Sequence, residues 1–153
     1  MALCVGQGVN FMIWDVGGQD RVRSLWRSYT RATDGMVFVV DSADLQRLEE
    51  ARVELARVAR TREAAGVPLL VIANKQDLPR ARSAVEVERL LGVAELRHGT
   101  TAVGAAARGR SCCVRPACAI TGEGLDEALE QLYEMIRARR KANKQQHARA
   151  RRR

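Results

Sequence analysis

Lysine is scarce in this sequence: of 26 basic residues only Lys75, Lys141 and Lys144 are lysines, and no Gly-Lys dipeptide occurs in the 153 residues. The Gly-x-x-x-x-Gly-Lys-[Ser/Thr] loop that cradles a triphosphate is therefore not written in this stretch. Long apolar runs are missing as well. Met36–Val40 and Pro68–Ala73 are buried-strand length, far short of the roughly 20 residues a membrane-crossing helix needs. Cys4, Cys112, Cys113 and Cys118 form no Cys-x-x-Cys knuckle, and His98 and His147 stand apart, which speaks against a zinc site. Met1–Asn10 has neither the basic start nor the apolar stretch of a secretory signal, so reduced thiols are expected, with Cys112–Cys113 read as loop chemistry. Ala2 stands where N-myristoylation requires glycine.

What is present in excess is positive charge, a net +8. It has one address. Arg137, Arg139, Arg140, Lys141, Lys144, Arg149, Arg151, Arg152 and Arg153 crowd into residues 137–153 with no acid among them, leaving 17 basic against 18 acidic residues elsewhere. The body is close to neutral and the basicity belongs to a C-terminal tail. No aromatic residue lies among these charges to stack a base, so specific nucleic-acid binding is not expected.

Three apolar runs each end in a polar residue: Val9–Trp14 at Asp15, Met36–Val40 at Asp41, and Leu69–Ala73 at Asn74. Near-continuous apolar strands alternating with helical periodicity point to an α/β fold, a mostly parallel sheet covered on both faces. Leu45, Leu48, Ala51, Leu55 and Val58 predict a helix over 44–62. Ser83-Ala-Val-Glu86 is a capping box, with Gly92 as the stop of the helix it starts. Leu125, Leu129, Leu132 and Ile136 predict a third helix over about 123–140, acidic first and basic last. Residues 98–113 read as a long exposed loop, and the tail beyond about Arg140 as frayed.

Three short motifs carry the chemistry. In Trp14-Asp15-Val16-Gly17-Gly18-Gln19, a carboxylate at a strand end can hold the water shell of Mg²⁺. Gly18 leaves room for a terminal phosphate, and Gln19 can orient an attacking water. In Asn74-Lys75-Gln76-Asp77, Asp77 can accept two hydrogen bonds from guanine N1–H and its exocyclic amine. Adenine would leave that carboxylate unpaired. Lys75 can lay its stem along the base, and Asn74 can tie neighbouring loops. In Cys118-Ala119-Ile120, the small Ala119 lets its N–H approach guanine O6. Singly each is weak; in this order, at the ends of successive strands, they point together to guanine-nucleotide binding.

The runs Trp14–Gln19, Leu25-Trp-Arg-Ser-Tyr29, Asp34–Asp41 and Asn74-Lys-Gln-Asp77 resemble the Arf/Arl family of small GTPases. The resemblance implies a Ras-like P-loop NTPase fold, truncated on its N-terminal side, with residues 1–140 an incomplete GTPase domain and 141–153 a polybasic tail. It implies GTP or GDP with Mg²⁺ as ligands: Asp15 serving the metal through water, Gly18 the γ-phosphate, Gln19 hydrolysis, and Asn74, Lys75, Gln76, Asp77, Cys118 and Ala119 the nucleotide. Gly17–Thr30 would be switch II, presenting Trp26 and Tyr29 to effectors. Exchange and activating proteins, and cytohesin-type Arf exchange factors as effectors, are the implied partners. The tail would meet an anionic membrane or an importin, placing the protein in the cytoplasm, at the plasma membrane or in the nucleus.

Without the phosphate loop, charge-assisted contacts of about 1.5–3 kcal/mol each are lost. Weak GTP binding is the expectation, and hydrolysis is left open. The alternative is a truncated pseudo-GTPase or interaction module that uses switch II and the tail without tight nucleotide binding.

Overall fold

The computed structural model describes residues 2–5, 9–98 and 110–151. Strands β1 (Ala2–Val5) and β2 (Val9–Met12) pair antiparallel, with Ala2 opposite Met12 and Val5 opposite Val9. Two single helical turns follow, α1 (Asp20–Arg23) and α2 (Trp26–Tyr29). Then come β3 (Met36–Asp41), α3 (Leu45–Ala59), β4 (Leu69–Asn74), α4 (Ala84–Leu91), α5 (Val93–His98), β5 (Cys112–Pro116) and the long α6 (Leu125–Ala150). The strands β3, β4 and β5 form a parallel sheet in that order.

The central strand explains the layering. All of Leu69–Ala73 is buried, and side chains alternate across a strand. Leu69, Val71 and Ala73 join Leu48 and Leu55 of α3 with Val87 and Leu91 of α4 in one core. Leu70 and Ile72 join Ala128, Leu132, Met135 and Ile136 of α6 in the other. Burying each such side chain contributes about 1.5–3 kcal/mol. Helices thus cover both faces of a parallel sheet, the Ras-like α/β arrangement expected from the sequence.

Local signals place the helix ends. Asp44 caps α3 by accepting from the Arg47 N–H at 3.1 Å. The capping box of α4 is formed in both directions, and Gly92 ends the helix at φ 65°, the left-handed conformation that glycine adopts without strain.

Three expectations need correction. The run Val9–Trp14 does not extend the parallel sheet: its strand stops at Met12 and pairs antiparallel with β1. Val9 and Phe11 are part-buried while Asn10 and Met12 are exposed, the one-sided alternation of an antiparallel ribbon rather than a doubly covered strand. The 98–113 loop is shorter than read. Residues 99–109 lie outside the described residues, but Cys112 and Cys113 sit in β5 opposite Leu69 and Leu70, because an apolar pair beside a buried strand gains more as its neighbour than in solvent.

Ahead of that strand, Arg110 is only 7% exposed and donates to the carbonyls of Ala59 (3.0 Å) and Ala64, closing the end of α3. Burial holds its guanidinium pKa below the usual value. Finally, the tail is not frayed from Arg140: α6 continues to Ala150. Its Ala, Arg, Lys and Gln are strong helix formers, and Arg137 and Arg140 are paired with Glu134 and Asp34, each at 2.8 Å. No described helix is long and apolar enough to cross a membrane.

Candidate functional site

The carboxyl ends of β3, β4 and β5 form one rim, with Asp41 beside Asn74 and Ala73 beside Pro116. In parallel α/β sheets this is the edge where ligands bind. The loops leaving β4 and β5 are knitted together there. The Asn74 Oδ1 accepts from the Ala119 N–H at 2.9 Å, the Gln76 N–H donates to the Ala117 carbonyl at 3.2 Å, and the Ala117 N–H donates to the Ala73 carbonyl at 3.1 Å. The buried Cys118 Sγ donates to Asp77 Oδ1 at 3.2 Å. Asp77 is itself exposed, with one carboxylate oxygen held by that thiol. Gly124, at φ 77°, lets the start of α6 pass so close to the Pro116 carbonyl that a Cβ would overlap it.

Two side chains take roles the sequence did not suggest. Lys75 adopts φ 67°, a left-handed backbone unusual for a non-glycine residue, and its ammonium pairs with Asp41 Oδ2 at 2.6 Å. Hydrogen bonding to Lys75, ahead of the opposing desolvation, holds the Asp41 carboxyl below its ordinary pKa, and the same bond raises that of Lys75. Asp41 ends a strand as Asp15 and Asn74 end their runs, the one signal that could have marked it. Gln76 turns its amide inward: its Nε2 lies 3.0 Å from Ser42 Oγ, 3.3 Å from the Ala73 carbonyl and 2.9 Å from the Arg82 carbonyl.

The second group follows β2. Asp15 is exposed and makes no hydrogen bond or ion pair among the described residues. Such a free carboxylate fits the outer-shell role that Mg²⁺, which keeps most of its waters, would ask of it. Gly18 has open space where a Cβ would stand, while the Gln19 side chain folds back over Gly17. The Arg23 Nε donates to the Gly18 carbonyl at 2.8 Å, and its guanidinium also pairs with Asp20 (3.0 Å), Glu50 (2.5 Å) and Glu54 (3.5 Å). Arg27 reaches Glu63 at 3.0 Å. These bonds fasten 17–30 to α3 and to the turn that follows it.

Of the two aromatic residues expected to face effectors, Trp26 is half-buried. Its ring meets Phe38 edge-on at 6.1 Å and its Nε1 donates to the Gly17 carbonyl at 2.9 Å. Tyr29 is exposed and lies 6.2 Å from the ring of Trp14, which is 71% exposed. Trp14, read in the sequence only as a strand end, is the more open surface. Among the described residues no hydrogen bond joins Asp15, Gly18 or Gln19 to the loops holding Asn74–Asp77 and Cys118–Ala119. The latter six residues form one unit, and the former three a second.

The tail cations also divide. Arg137 pairs with Glu134 and stands 5.6 Å from the centre of the Tyr133 ring, Arg140 pairs with Asp34, and Arg139 donates to the Thr33 and Asp34 carbonyls. Lys141, Lys144, Arg149 and Arg151 have no ion-pair partner among the described residues, and Arg152 and Arg153 lie outside them.

The sequence profile of the ADP-ribosylation factor family matches residues 3–136. The chain is 50% identical over 143 residues to human ADP-ribosylation factor-like protein 4C, covering 94% of this chain and 69% of the relative. It is 53% identical over 136 residues to human ADP-ribosylation factor-like protein 4D (89% and 63%) and 50% over 138 residues to the human 4A protein (90% and 64%). The chain therefore spans about two thirds of the length of these relatives. With its parallel sheet, its rim of loops and this identity, the chain belongs to the ADP-ribosylation factor family of small GTPases.

Proposed function

We propose that this chain carries the guanine-reading part of a GTP-binding, Arf-like switch acting in membrane recruitment and trafficking signalling. One observation carries the reading: the exposed Asp77, steadied at one oxygen by Cys118, stands on the same rim as Asn74, Lys75 and Ala119. A carboxylate so placed accepts from both the N1–H and the amine of guanine. The Ala119 N–H, which here donates to Asn74 Oδ1, would turn to guanine O6 when the base is bound.

Asp15 would hold Mg²⁺ through water, and that ion, when bound, would neutralise charge on the phosphates. Gly18 leaves a backbone open to a terminal phosphate. Gln19 has to swing off Gly17 to orient a water. Exchange and activating proteins, and cytohesin-type exchange factors as effectors, would read the surface carrying Tyr29 and Trp14. GDP shifting the Ala119 amide resonance, with no response to ADP at the same concentration, supports the reading; equal responses to both remove it.

The tail is proposed to dock on an anionic membrane. Lys144 and Arg151 lie two turns apart on one stripe of α6 and, with Lys141 and Arg149, have no ion-pair partner among the described residues, a set of cations suited to a flat negative surface, where each adds roughly 1 kcal/mol. Capture by an importin would use the same charges. Plasma membrane and nucleus are the corresponding locations.

A second reading, an interaction module independent of tight nucleotide binding, draws on 17–30. That segment is held against α3 and the turn after it by the chain's own bonds, and Met12, Trp14, Leu25 and Tyr29 are exposed. Persistence of partner binding after complete nucleotide removal would favour it.

A further inference from the structure

Gln76 is the third residue of the Asn-Lys-Gln-Asp motif, where it was expected to touch the nucleotide. Its amide is instead spent on the protein. The Nε2 group addresses three oxygens, on Ser42, Ala73 and Arg82. The Ser42 side chain is fully buried and passes the connection on, its Oγ donating to the Asn74 carbonyl at 2.6 Å. The Ser42 carbonyl accepts from the Arg82 N–H at 2.8 Å, and the Gln76 N–H reaches the Ala117 carbonyl. Four segments therefore converge on one residue: the end of β3, the end of β4, the loop leading to α4, and the loop after β5.

On either side of this hub stand the groups that would read the base, Lys75 in its left-handed backbone and the exposed Asp77. Nothing else on the β4 loop fixes the backbone between them so thoroughly. We propose that Gln76, acting through Ser42, is a positioning residue that sets the specificity of the site, holding Asp77 where it can accept from the exocyclic amine of guanine. It would not touch the nucleotide. The proposal rests on the guanine-reading assignment above.

The chemistry predicts which substitution matters. Gln76→Glu keeps the size but cannot donate, and it sets a carboxylate against the Ala73 and Arg82 carbonyls, so the side chain must leave and the loop relaxes. Ser42→Ala removes one link of the relay and leaves the Ala73 and Arg82 contacts, so it should act in the same direction and more weakly.

Inosine diphosphate lacks the guanine amine and keeps N1–H, so the ratio of GDP to IDP affinity reads the Asp77–amine contact alone. Both nucleotides would be titrated into the 153-residue chain and its Gln76→Glu and Ser42→Ala variants, followed by amide shifts at Asp77 and Ala119, with thermal melts confirming the fold. Expected for the unmodified chain is a preference for GDP of roughly tenfold or more, the size of a hydrogen bond to a charged group. Expected for Gln76→Glu is a fall to within about twofold of equality, and for Ser42→Ala an intermediate ratio.

A Gln76→Glu chain that weakens both nucleotides by the same factor, keeping the ratio, overturns the positioning role and leaves the guanine reading standing. If Gln76→Glu does not fold, an unchanged ratio in Ser42→Ala overturns it equally. An unmodified chain that does not separate GDP from ADP overturns the guanine reading and this inference with it.

Discussion

Lys75 and Asp41 meet at 2.6 Å across the ends of two neighbouring parallel strands, β4 and β3. The pair gives the left-handed Lys75 backbone a partner, and it places a positive stem along the rim where the base is expected. It also makes the rim sensitive to acid. The Asp41 carboxyl has a folded-state pKa lowered from 3.8, so its stabilisation is present above about pH 4 and fades as pH falls through the lowered value. Lys75 is shifted upward from 10.5, so the pair is intact through neutral pH. Asp41→Asn should therefore lower the melting temperature more at pH 7 than at pH 3. Thermal melts at the two pH values check this; an equal loss at both would mean that charge is not what the pair contributes.

The segment 17–30 should be freed by cutting one anchor. Arg23 ties the Gly18 carbonyl to Glu50 and Glu54, so Arg23→Ala or the double change Glu50→Gln and Glu54→Gln should speed amide hydrogen exchange across residues 18–29. The sheet amides of β3 and β4 should not change. Exchange that rises throughout the chain would indicate global destabilisation instead.

The membrane stripe should respond to salt as a set of few charges, not nine. Arg137, Arg139 and Arg140 are already engaged within the fold, which leaves Lys141, Lys144, Arg149 and Arg151 free among the described residues. Co-sedimentation with vesicles containing anionic lipid should fall steeply as salt rises. Lys144→Glu with Arg151→Glu should abolish it, while Arg137→Ala should change it little. Binding that persists at high salt contradicts an electrostatic dock.

Ser83 begins α4 as one half of the capping box, its Oγ accepting from the Glu86 N–H at 3.3 Å. Ser83→Ala should cost about 1 kcal/mol of stability, read as a fall in melting temperature of a few degrees. A result within a few tenths of a kcal/mol of the parent chain would show that packing of Val87 and Leu91 alone sustains the helix.

The sequence made some of these features legible because their causes are local. The capping box at Ser83, the stop at Gly92 and the buried run Leu69–Ala73 are fixed by residues within a few positions of one another. What it hid depends on partners far along the chain. Gln76 looks like a nucleotide contact until Ser42 and Arg82 are brought to it. Lys75 looks free until Asp41 arrives from the next strand. Trp26 turns in because Phe38 is there, which leaves Trp14 as the open ring. Cys112–Cys113 reads as loop until β4 supplies a neighbour. The extent of α6 is hidden for a different reason: a polar stretch resembles a disordered one, although arginine, lysine, glutamine and alanine favour helix.

Exchanging the ligand and the reading residue together tests the guanine assignment most directly. Xanthine carries an oxygen where guanine carries its amine, so Asp77→Asn, with a donor in place of one acceptor, should reverse the order of affinity. Titrated by amide shifts at Ala119, the unmodified chain is expected to prefer GDP over xanthosine diphosphate by roughly tenfold or more. The Asp77→Asn chain is expected to prefer xanthosine diphosphate. Both affinities should lie well short of nanomolar, since no phosphate-gripping lysine loop is written in these 153 residues. Identical preferences in the two chains would contradict the assignment of Asp77 as the residue that reads guanine.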